Sequence, residues 1–512
     1  ISTTIYRLTA HPLAKYPGLF FWRISQAPSA RSAWTGDKHL KLLEAHKKHG
    51  SVVRVTPDTL CFNTETALRT IYGSRTINNI KSQYYVLQQQ PPGNPSLFSE
   101  TDKDRHARLR RVMANGFSER AIRSAEVHVL QTLPALRQFI DKRCEDGSWS
   151  SAIDMADLAA YYTFEVMGRT TFGKQFGMLE KEDERYMKNI IIGNGRYINA
   201  VACYPFILSE WLLTHNIFSY LPGKFAQLAN ESKIFESYCA KHVTERLSST
   251  TAEKEDTKTS ADFFTYVQNF KDPETGKGLS DKELASGAML LIVAGADTST
   301  TTLAALFFYL LHNPHTLERA TAEVRSAFSN ASEISNGPAF ASLTYMNACI
   351  EEALRRSPPV PGILPRVALS GGMTVDNQFI PEGINVGVSA FAIHHNPEYY
   401  PDPFTYRPER WIAGSSPDAT AESVAVAKRA FCPFGIGSRG CLGKGFAYLE
   451  LRLAVATILF NYDVRLDPED SMRGAGRKEW DAEGRGRENE YQLQDCFISD
   501  RDGPIIQFRR RQ

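Results

Sequence analysis

The sequence lacks the features that mark several classes of protein. Its eight cysteines form no C-x-x-C pair and no short regular framework within 512 residues, which favours a reducing compartment over a disulfide scaffold. No uninterrupted apolar run reaches the ~18 residues that a membrane-spanning helix needs. The net charge is only +2, so the chain has no global basic field of the kind that binds nucleic acids. A protein that acts on small molecules agrees better with these absences than a nucleic-acid-binding protein does.

The composition allows a large core, because 42% of the residues are hydrophobic and 11% are aromatic. Length alone suggests two domains, yet no internal repeat and no long linker divides the chain. Helical apolar spacing predicts helices at Ala121–Ile140, Leu158–Phe172, Phe225–Leu247, Asp281–Asn313, Pro314–Phe328, Tyr345–Arg356 and Lys444–Phe460. Short strands are predicted at Val52–Val55, Met373–Val375, Ile384–Val388 and within Phe497–Phe508. The fold class is therefore mainly α with small β-sheets.

The remaining stretches are interpreted as loops or as a terminus. Polar, loop-like segments are expected at Ser248–Ser260, Ala413–Glu422 and Glu469–Glu490. The chain begins at Ile1 rather than at Met, and a proline-punctuated stretch follows at His11–Gly18. We expect an upstream anchor or targeting segment to have been removed, with a ragged terminus as the alternative.

The strongest chemical signal surrounds Cys441. This cysteine lies in a glycine-rich loop, Phe434–Gly443, and a predicted helix starts directly after the loop. Glycines let the backbone approach a flat ligand, and a helix N-terminus favours the negative charge of a thiolate. These are the requirements of an iron ligand. The alternative is a buried structural cysteine whose glycines only form a turn.

A second signal interrupts the long apolar helix at Ala294–Thr302. A glycine and clustered hydroxyls disfavour a regular helix there, and such violations are expected at functional positions. Asp297 beside Thr298 can hold water and relay protons, and Gly295 is expected to leave room for oxygen. The alternative is a kinked core helix in which Asp297 has a local partner. A third pattern, Glu352-x-x-Arg355, puts an acid and a base on one helical face and is weak by itself.

Taken together, these patterns resemble the cytochrome P450 family. The loop matches F-x-x-G-x-R-x-C-x-G, the helix interruption matches [AG]-G-x-[DE]-T-[ST], and E-x-x-R precedes both Arg410 and the cysteine in the family's order. The resemblance runs from Tyr6 to the C-terminus. It implies the P450 fold and one catalytic domain, residues 1–512, which overrules the two domains suggested by length. Finer stretches, among them His11–Gly18 and Cys349–Pro361, are similar to fungal microsomal members of secondary metabolism such as trichothecene-type hydroxylases.

The resemblance also implies roles for individual residues. Cys441 would be the axial ligand of haem b, with Asp297 and Thr298 delivering protons. Haem contacts are expected from Arg110, His106, Arg366, Arg439, Phe434 and Gly435, where His106 replaces the family's usual tryptophan. A plain basic helix face remains the alternative for Arg110. Glu352, Arg355 and Arg410 would form a buried structural network. Substrate contacts are expected from Tyr84, Tyr85, Leu291, Ala294, Val360, Ile363, Leu364 and Phe497, with ordinary core packing as the alternative for each.

The implied activity is that of a monooxygenase, which inserts one oxygen atom of O₂ into an apolar terpenoid, polyketide or alkaloid. The same fold also supports dehydrogenation, cyclisation or oxidative coupling, and a non-catalytic haem sensor is the alternative of another class. Electrons would come from an NADPH-dependent flavoprotein reductase, so NADPH and flavins are not bound by this chain. Arg105, Arg108 and Arg111, with Lys444, either attract that partner or form a solvated face. A monomer on the cytosolic face of the endoplasmic reticulum membrane is expected.

Overall fold

The computed structural model describes residues 2–89, 93–203, 215, 217–220, 223–248 and 262–511. Most of the loop expected at Ser248–Ser260 lies outside these residues. The other two predicted loops are borne out: Ala413–Glu422 is irregular until a helix begins at Ala421, and Glu469–Glu490 contains turns and one 3₁₀ segment.

Helices make up most of the described structure. They are α1 (Ser2–Thr9), α2 (Phe20–Ile24), α3 (Ala27–Thr35), α4 (Lys38–His49), α5 (Glu65–Leu68), α6 (Lys103–Ala114), α7 (Glu119–Asp141), α8 (Met155–Phe172), α9 (Met187–Ala202), α10 (Lys224–Ser248), α11 (Phe263–Asn269), α12 (Asp281–Leu311), α13 (Pro314–Ala327), α14 (Pro338–Ser342), α15 (Thr344–Arg356), α16 (Ala390–His394), α17 (Ala421–Ala430) and α18 (Lys444–Asn461). Every predicted helix is confirmed. Their apolar faces supplied the signal, because those faces are buried against neighbouring helices.

The strands are short and form four small sheets. They are β1 (Val52–Thr56), β2 (Thr59–Phe62), β3 (Asn79–Lys81), β4 (Ile153–Asp154), β5 (Arg366–Ala368), β6 (Met373–Val375), β7 (Gln378–Ile380), β8 (Asn385–Val388), β9 (Tyr462–Leu466), β10 (Gln494–Cys496), β11 (Ile498–Asp500) and β12 (Ile505–Arg510). Each predicted strand segment contains an observed strand. A five-stranded sheet has the order β1-β2-β8-β5-β3, in which β2 and β8 are parallel. The others are β4-β12-β9 and the hairpins β6-β7 and β10-β11.

Helix α12 forms the centre of the molecule. Its N-terminus carries a capping box in which Ser280 and Glu283 satisfy each other's backbone amides. It is the one helix of the described residues long and apolar enough to cross a membrane, yet 67% of its most apolar stretch is buried by protein. It therefore serves as a core helix. One large apolar cluster joins it to α7, α8, α15 and α18, while a second cluster lies beneath the five-stranded sheet.

Candidate active site

A central cavity of about 400 Å³ lies between α12 and the loop that carries Cys441. Most of its wall is apolar, and it is supplied by α6, α8, α9, α12, α18, the segment before β5 and the β10-β11 hairpin. An enclosed apolar cavity with a few polar groups is the usual form of a small-molecule site.

The loop Phe434–Gly443, called here the Cys loop, is held in one conformation by its own backbone. The Cys441 amide donates to the Phe434 carbonyl at 2.8 Å. Gly437 has φ +70°, and a Cβ atom there would lie 2.1 Å from the carbonyl oxygen of Tyr72. Only glycine fits this position. The residues of this loop that were predicted to contact the cofactor or its metal all line the central cavity: Phe434, Gly435, Arg439 and Cys441.

Cys441 is exposed to the central cavity, and protein surrounds that cavity. Burial raises the pKa of this thiol, but the backbone amides of Gly443 and Lys444 and the charge of Arg110 oppose the rise. Those amides belong to the N-terminus of α18, which favours a thiolate. Cys432 lines the same cavity without this help, and burial raises its pKa to about 12. Burial also raises the pKa of Cys496, the third cysteine in the wall of this cavity, to about 12, so Cys441 is the one best suited to bind a metal.

Four cationic side chains lie at one end of the cavity: Lys81, Arg110, Arg366 and Arg439. None of them forms a salt bridge in the described part of the chain. Arg110 donates to the Gly440 carbonyl at 2.8 Å, Arg366 donates to the Tyr85 hydroxyl at 2.9 Å, and one Nη atom of Arg439 is buried without a partner. His106 is buried and lines the same cavity. The carboxylates of Glu100 and Asp102 balance only part of this positive charge, so the cluster fits the two carboxylates of haem.

Lys81 was missed by the sequence reasoning. It is 5% exposed on β3 and donates to the carbonyls of Leu97 and Phe98 at 3.0 and 2.5 Å. Burial and then the charges of Arg439 and Arg366 hold its pKa well below the usual range for lysine. A single lysine in a short strand carries no distinctive pattern. Only the folded structure brings it beside arginines from distant segments.

Asp297 and Thr298 lie on α12 but face different neighbours. The Thr298 hydroxyl lines the cavity and donates to the Ala294 carbonyl at 2.7 Å. Asp297 forms a buried ion pair with Arg501, which comes from the segment after β11. Burial raises the pKa of Asp297, and Arg501 opposes that rise. The partner considered from the sequence was local, whereas the observed partner lies far along the chain.

Gly295 lines the central cavity and also packs closely against α8. A Cβ atom at this position would lie 2.4 Å from Sδ and 2.7 Å from Cε of Met167 on α8. The absence of a side chain therefore allows the close packing of α12 against α8, and room for oxygen at Gly295 stays a prediction.

The expected substrate contacts divide between two cavities. Six of the eight predicted residues line the central cavity: Tyr85, Leu291, Ala294, Val360, Leu364 and Phe497. Tyr84 and Ile363 do not line it, and their contact with substrate stays a prediction. The Tyr84 hydroxyl turns to Asn199 at 2.9 Å, and Ile363 packs against the apolar cluster of Val53 and Val55. Both residues line a second chamber of about 490 Å³.

Glu352, Arg355 and Arg410 come together in a buried network behind the Cys loop. Arg355 donates to both carboxylate oxygens of Glu352 at 2.9 and 2.8 Å, and Arg410 adds a contact at 3.0 Å. The Trp411 indole and the Arg407 amide also donate to this carboxylate, at 2.9 and 3.1 Å. Burial alone would raise the pKa of Glu352, but the two arginines outweigh it and lower the pKa to about 2.

Glu450 on α18 was also not identified from the sequence as a candidate site residue. It is fully buried, lines the central cavity and accepts from the Ser299 hydroxyl at 2.8 Å. Its Oε1 atom is buried without a partner, and burial raises its pKa to about 8. An acid inside the apolar run from Lys444 to Phe460 was the available signal.

Two of the arginines considered for an electron donor have partners within the protein. Arg108 pairs with Glu283, and Arg111 pairs with Asp272 at 2.8 Å. These contacts reduce the basic patch expected around Arg110.

Comparison with known proteins gives one consistent result. The model of the family described as Cytochrome P450 matches residues 13–479. Cytochrome P450 monooxygenase fscF of Fusarium equiseti is 35% identical over 517 positions, covering 100% of this chain and 94% of that protein. Cytochrome P450 monooxygenase AKT7 of Alternaria alternata is 36% identical, covering 99% and 94%. Cytochrome P450 monooxygenase poxM of Penicillium oxalicum is 35% identical, covering 99% and 92%. With the Cys loop, the E-x-x-R network and the acid–alcohol helix in place, the chain belongs to the cytochrome P450 family.

Proposed function

We propose that this enzyme is a monooxygenase that inserts one oxygen atom of O₂ into an apolar secondary metabolite. The observation that carries the proposal is the meeting of three groups in one apolar cavity: the Cys441 thiol, the cluster of four cations and the Thr298 hydroxyl. As a P450, the protein uses haem b, receives electrons from a reductase partner and acts on a small molecule with O₂. Haem supplies the activation of dioxygen when it is bound.

The protein's residues take distinct roles in this proposal. Cys441 holds the iron, and Phe434 and Gly435 contact the same cofactor from the Cys loop. Lys81, Arg110, Arg366 and Arg439, with His106, hold the propionates. Glu352, Arg355 and Arg410 act only by keeping the Cys loop in place. None of these side chains needs to move a proton.

Proton delivery falls to Thr298 and Asp297. Thr298 already donates to the Ala294 carbonyl, so its oxygen can accept a hydrogen bond from water in the cavity. Asp297 is held by Arg501 and also lines the central cavity beside Thr298. We propose that Thr298 orients the water and that Asp297 resupplies the proton.

The substrate class follows from the cavity wall. Tyr85, Leu291, Ala294, Val360, Leu364 and Phe497 offer aromatic and aliphatic surface, which suits a terpenoid, polyketide or alkaloid body. We propose one catalytic domain over residues 1–512 and a monomer, since the largest apolar cluster already contains residues from Val112 to Phe508.

A membrane location completes the proposal. Ile5, Tyr6, Phe20 and Phe21 near the N-terminus are each at least 50% exposed, which suits contact with a membrane surface. We propose that the native protein works on the cytosolic face of the endoplasmic reticulum membrane.

Turnover with reductase, NADPH and isotopically labelled dioxygen tests the function. We expect a product carrying one labelled oxygen from a fungal metabolite extract, measured by mass spectrometry. An unlabelled product lacking two hydrogens would move the function to dehydrogenation, cyclisation or coupling. A sensor is distinguished by Thr298→Ala, a change to which it should scarcely respond.

A matched pair of threonine variants tests proton delivery. Thr298→Ala should divert NADPH to hydrogen peroxide, because the hydroxyl in the cavity is lost. Thr300→Ala is the control: Thr300 makes the same type of bond, to the Ala296 carbonyl at 2.9 Å, but faces Thr163 of α8. Equal peroxide from the two variants would contradict the role of Thr298.

A further inference from the structure

The second chamber adjoins the central cavity and shares part of its wall. Val360, Gly362 and Phe497 line both spaces. The second chamber also reaches α3, the five-stranded sheet and the β10-β11 hairpin. These three residues form the boundary that a molecule longer than the central cavity would have to pass to reach the second chamber.

The second chamber has more unsatisfied oxygen atoms in its wall than the central cavity, where Glu450 has one. Four side chains in its wall each have a buried oxygen without a hydrogen-bond partner in the described structure: Gln26, Ser29, Asn385 and Asp495. Ser29 is 1% exposed and Asp495 is 2% exposed. An unsatisfied buried polar group costs about 1–3 kcal/mol, so four in one chamber indicate a missing donor.

Asp495 is the most informative of the four. Its Oδ1 atom accepts from the Phe497 amide at 3.3 Å, while Oδ2 has no partner among the described residues. A Cβ atom at Gly362 would lie 3.1 Å from Oδ2, so the glycine leaves this oxygen uncovered by a side chain. Burial raises the pKa of Asp495 to about 6 and Lys38 opposes that rise, so the group is mainly a carboxylate near neutral pH.

The boundary between the two spaces carries backbone strain. Phe497 has φ +77°, a left-handed conformation that costs an aromatic residue roughly 1–3 kcal/mol. In this conformation its ring lies 5.2 Å from the ring of Phe98 and 6.4 Å from that of Tyr84, measured between centroids. An aromatic ring therefore separates the apolar cavity from the polar chamber.

We propose that the second chamber is a subsite for a hydroxyl group at one end of an otherwise apolar substrate, with Asp495 as its principal acceptor. The inference rests on the proposed function and names the substrate class more closely, as an amphiphilic alcohol oxidised at its apolar part. The unsatisfied oxygens call for a hydrogen-bond donor. The charge of Lys38 already acts on Asp495 in the same chamber, so a neutral donor such as a hydroxyl suits this carboxylate better than a second ammonium group.

Matched long-chain ligands test the subsite in the haem-loaded enzyme. Dodecanol, tetradecanol and hexadecanol are each compared with their methyl ethers, and affinities are measured by calorimetry. We expect at least one alcohol to bind about tenfold more tightly than its ether, since a hydrogen bond to a carboxylate contributes about 1.4 kcal/mol or more. Equal affinities for all three pairs would overturn the proposal.

Carboxylate-to-amide variants locate the acceptor. Asp495→Asn keeps the Oδ1 contact but replaces Oδ2 by a donor, so the preference for alcohol should vanish or reverse. Asp58→Asn is the control, because Asp58 lines the same chamber but already accepts from Thr56 and Thr59 at 2.6 and 3.2 Å. A preference unchanged in Asp495→Asn, or lost equally in both variants, would contradict the assignment.

Gly362→Ala gives an independent measurement if Asp495→Asn does not fold. Its Cβ atom would crowd Oδ2 of Asp495, so the alcohol should lose affinity and the ether should not. Equal losses would contradict the proposal. The outcome is separate from the proposed function, since binding preference is measured without turnover. An alcohol preference in an enzyme that never incorporates labelled oxygen would leave the subsite standing and the monooxygenase proposal wrong.

Discussion

Glu352 and Glu450 are both fully buried, and both lie on helices that border the central cavity, yet their carboxyl groups behave in opposite ways. The pKa of Glu352 is lowered to about 2, whereas burial raises the pKa of Glu450 to about 8. Glu352 has two arginines, an indole and a backbone amide as donors. Glu450 has one hydroxyl. The number and charge of the donors, rather than burial, decide the state of each carboxyl group.

This difference in pKa distinguishes a region whose charge is permanent from a region whose charge depends on pH. The region behind the Cys loop contains a permanent charge whose partners come from α15 and the segment around Arg410, so it joins distant parts of the chain. The region between α12 and α18 holds a carboxyl group that is protonated at neutral pH and has an unsatisfied oxygen atom. The first has a fixed charge that joins distant segments, while the second can change its charge near physiological pH.

Removing Glu352 should have the largest effect. Glu352→Ala leaves Arg355 and Arg410 buried without their anion, which costs about 3–5 kcal/mol of the free energy of unfolding. Denaturant unfolding followed by tryptophan fluorescence measures the loss. The surface variant Glu182→Ala is the control, since Glu182 is 84% exposed and its pair with Arg185 should contribute little. Similar stabilities for the two variants would mean that the network does not hold the fold.

Glu450→Gln should change the pH dependence of stability. Because the pKa of Glu450 rises from 4.5 to about 8 on folding, its contribution is fully present below pH 4.5 and is lost as pH rises towards 8. The loss is at most about 1.4 kcal/mol per pH unit, or about 3 kcal/mol between pH 6 and pH 8. The free energy of unfolding of the glutamine variant should change less with pH over this range. The variant should also be more stable than the wild type at pH 9. Parallel curves would show that Glu450 is not the titrating group.

Trp411→Phe should weaken the Glu352 network without breaking it. The substitution removes one of the donors to the carboxylate, a bond of 2.9 Å, and leaves both arginines. We expect a loss of about 2 kcal/mol in the free energy of unfolding, smaller than that of Glu352→Ala. Trp480→Phe is the control, because Trp480 is partly buried and stacks on Arg477 away from the network. A loss as large as that of Glu352→Ala would mean that the indole, rather than the two arginines, stabilises the buried carboxylate.

The sequence predicts the parts of this comparison that depend on local pattern. Helix positions follow from apolar spacing, and Cys441, Glu352, Arg355 and Arg410 belong to dense motifs. Partners from distant segments could not be predicted. Nothing near Asp297 indicates Arg501, nothing near Glu450 indicates Ser299, and Lys81 joins the cation cluster only through β3.

The division of the predicted substrate contacts between two cavities has a related cause. Tyr84 and Tyr85 are adjacent, but their side chains point to different cavities, and a family pattern cannot specify which one faces the substrate. The packing role of Gly295 could not be predicted either, because an open position in a helix is equally compatible with a ligand and with a neighbouring side chain. Met167 belongs to a different helix, and only the packing of α8 against α12 brings it to this glycine.

Ser299→Ala should have the smallest effect and tests the comparison most sharply. Ser299 is the side-chain donor to Glu450, at 2.8 Å, so its loss should raise the pKa of Glu450 further. We expect a cost of about 1 kcal/mol that is larger at pH 9 than at pH 6, because the ionised carboxylate needs the donor more than the neutral acid does. In the Glu450→Gln background the same substitution should cost equally at both pH values. Denaturant midpoints of the four proteins of this double-mutant cycle give the coupling between the two residues. A cost independent of pH in the wild-type background would mean that Glu450 is ionised or neutral throughout the range, and that donor number does not explain its difference from Glu352.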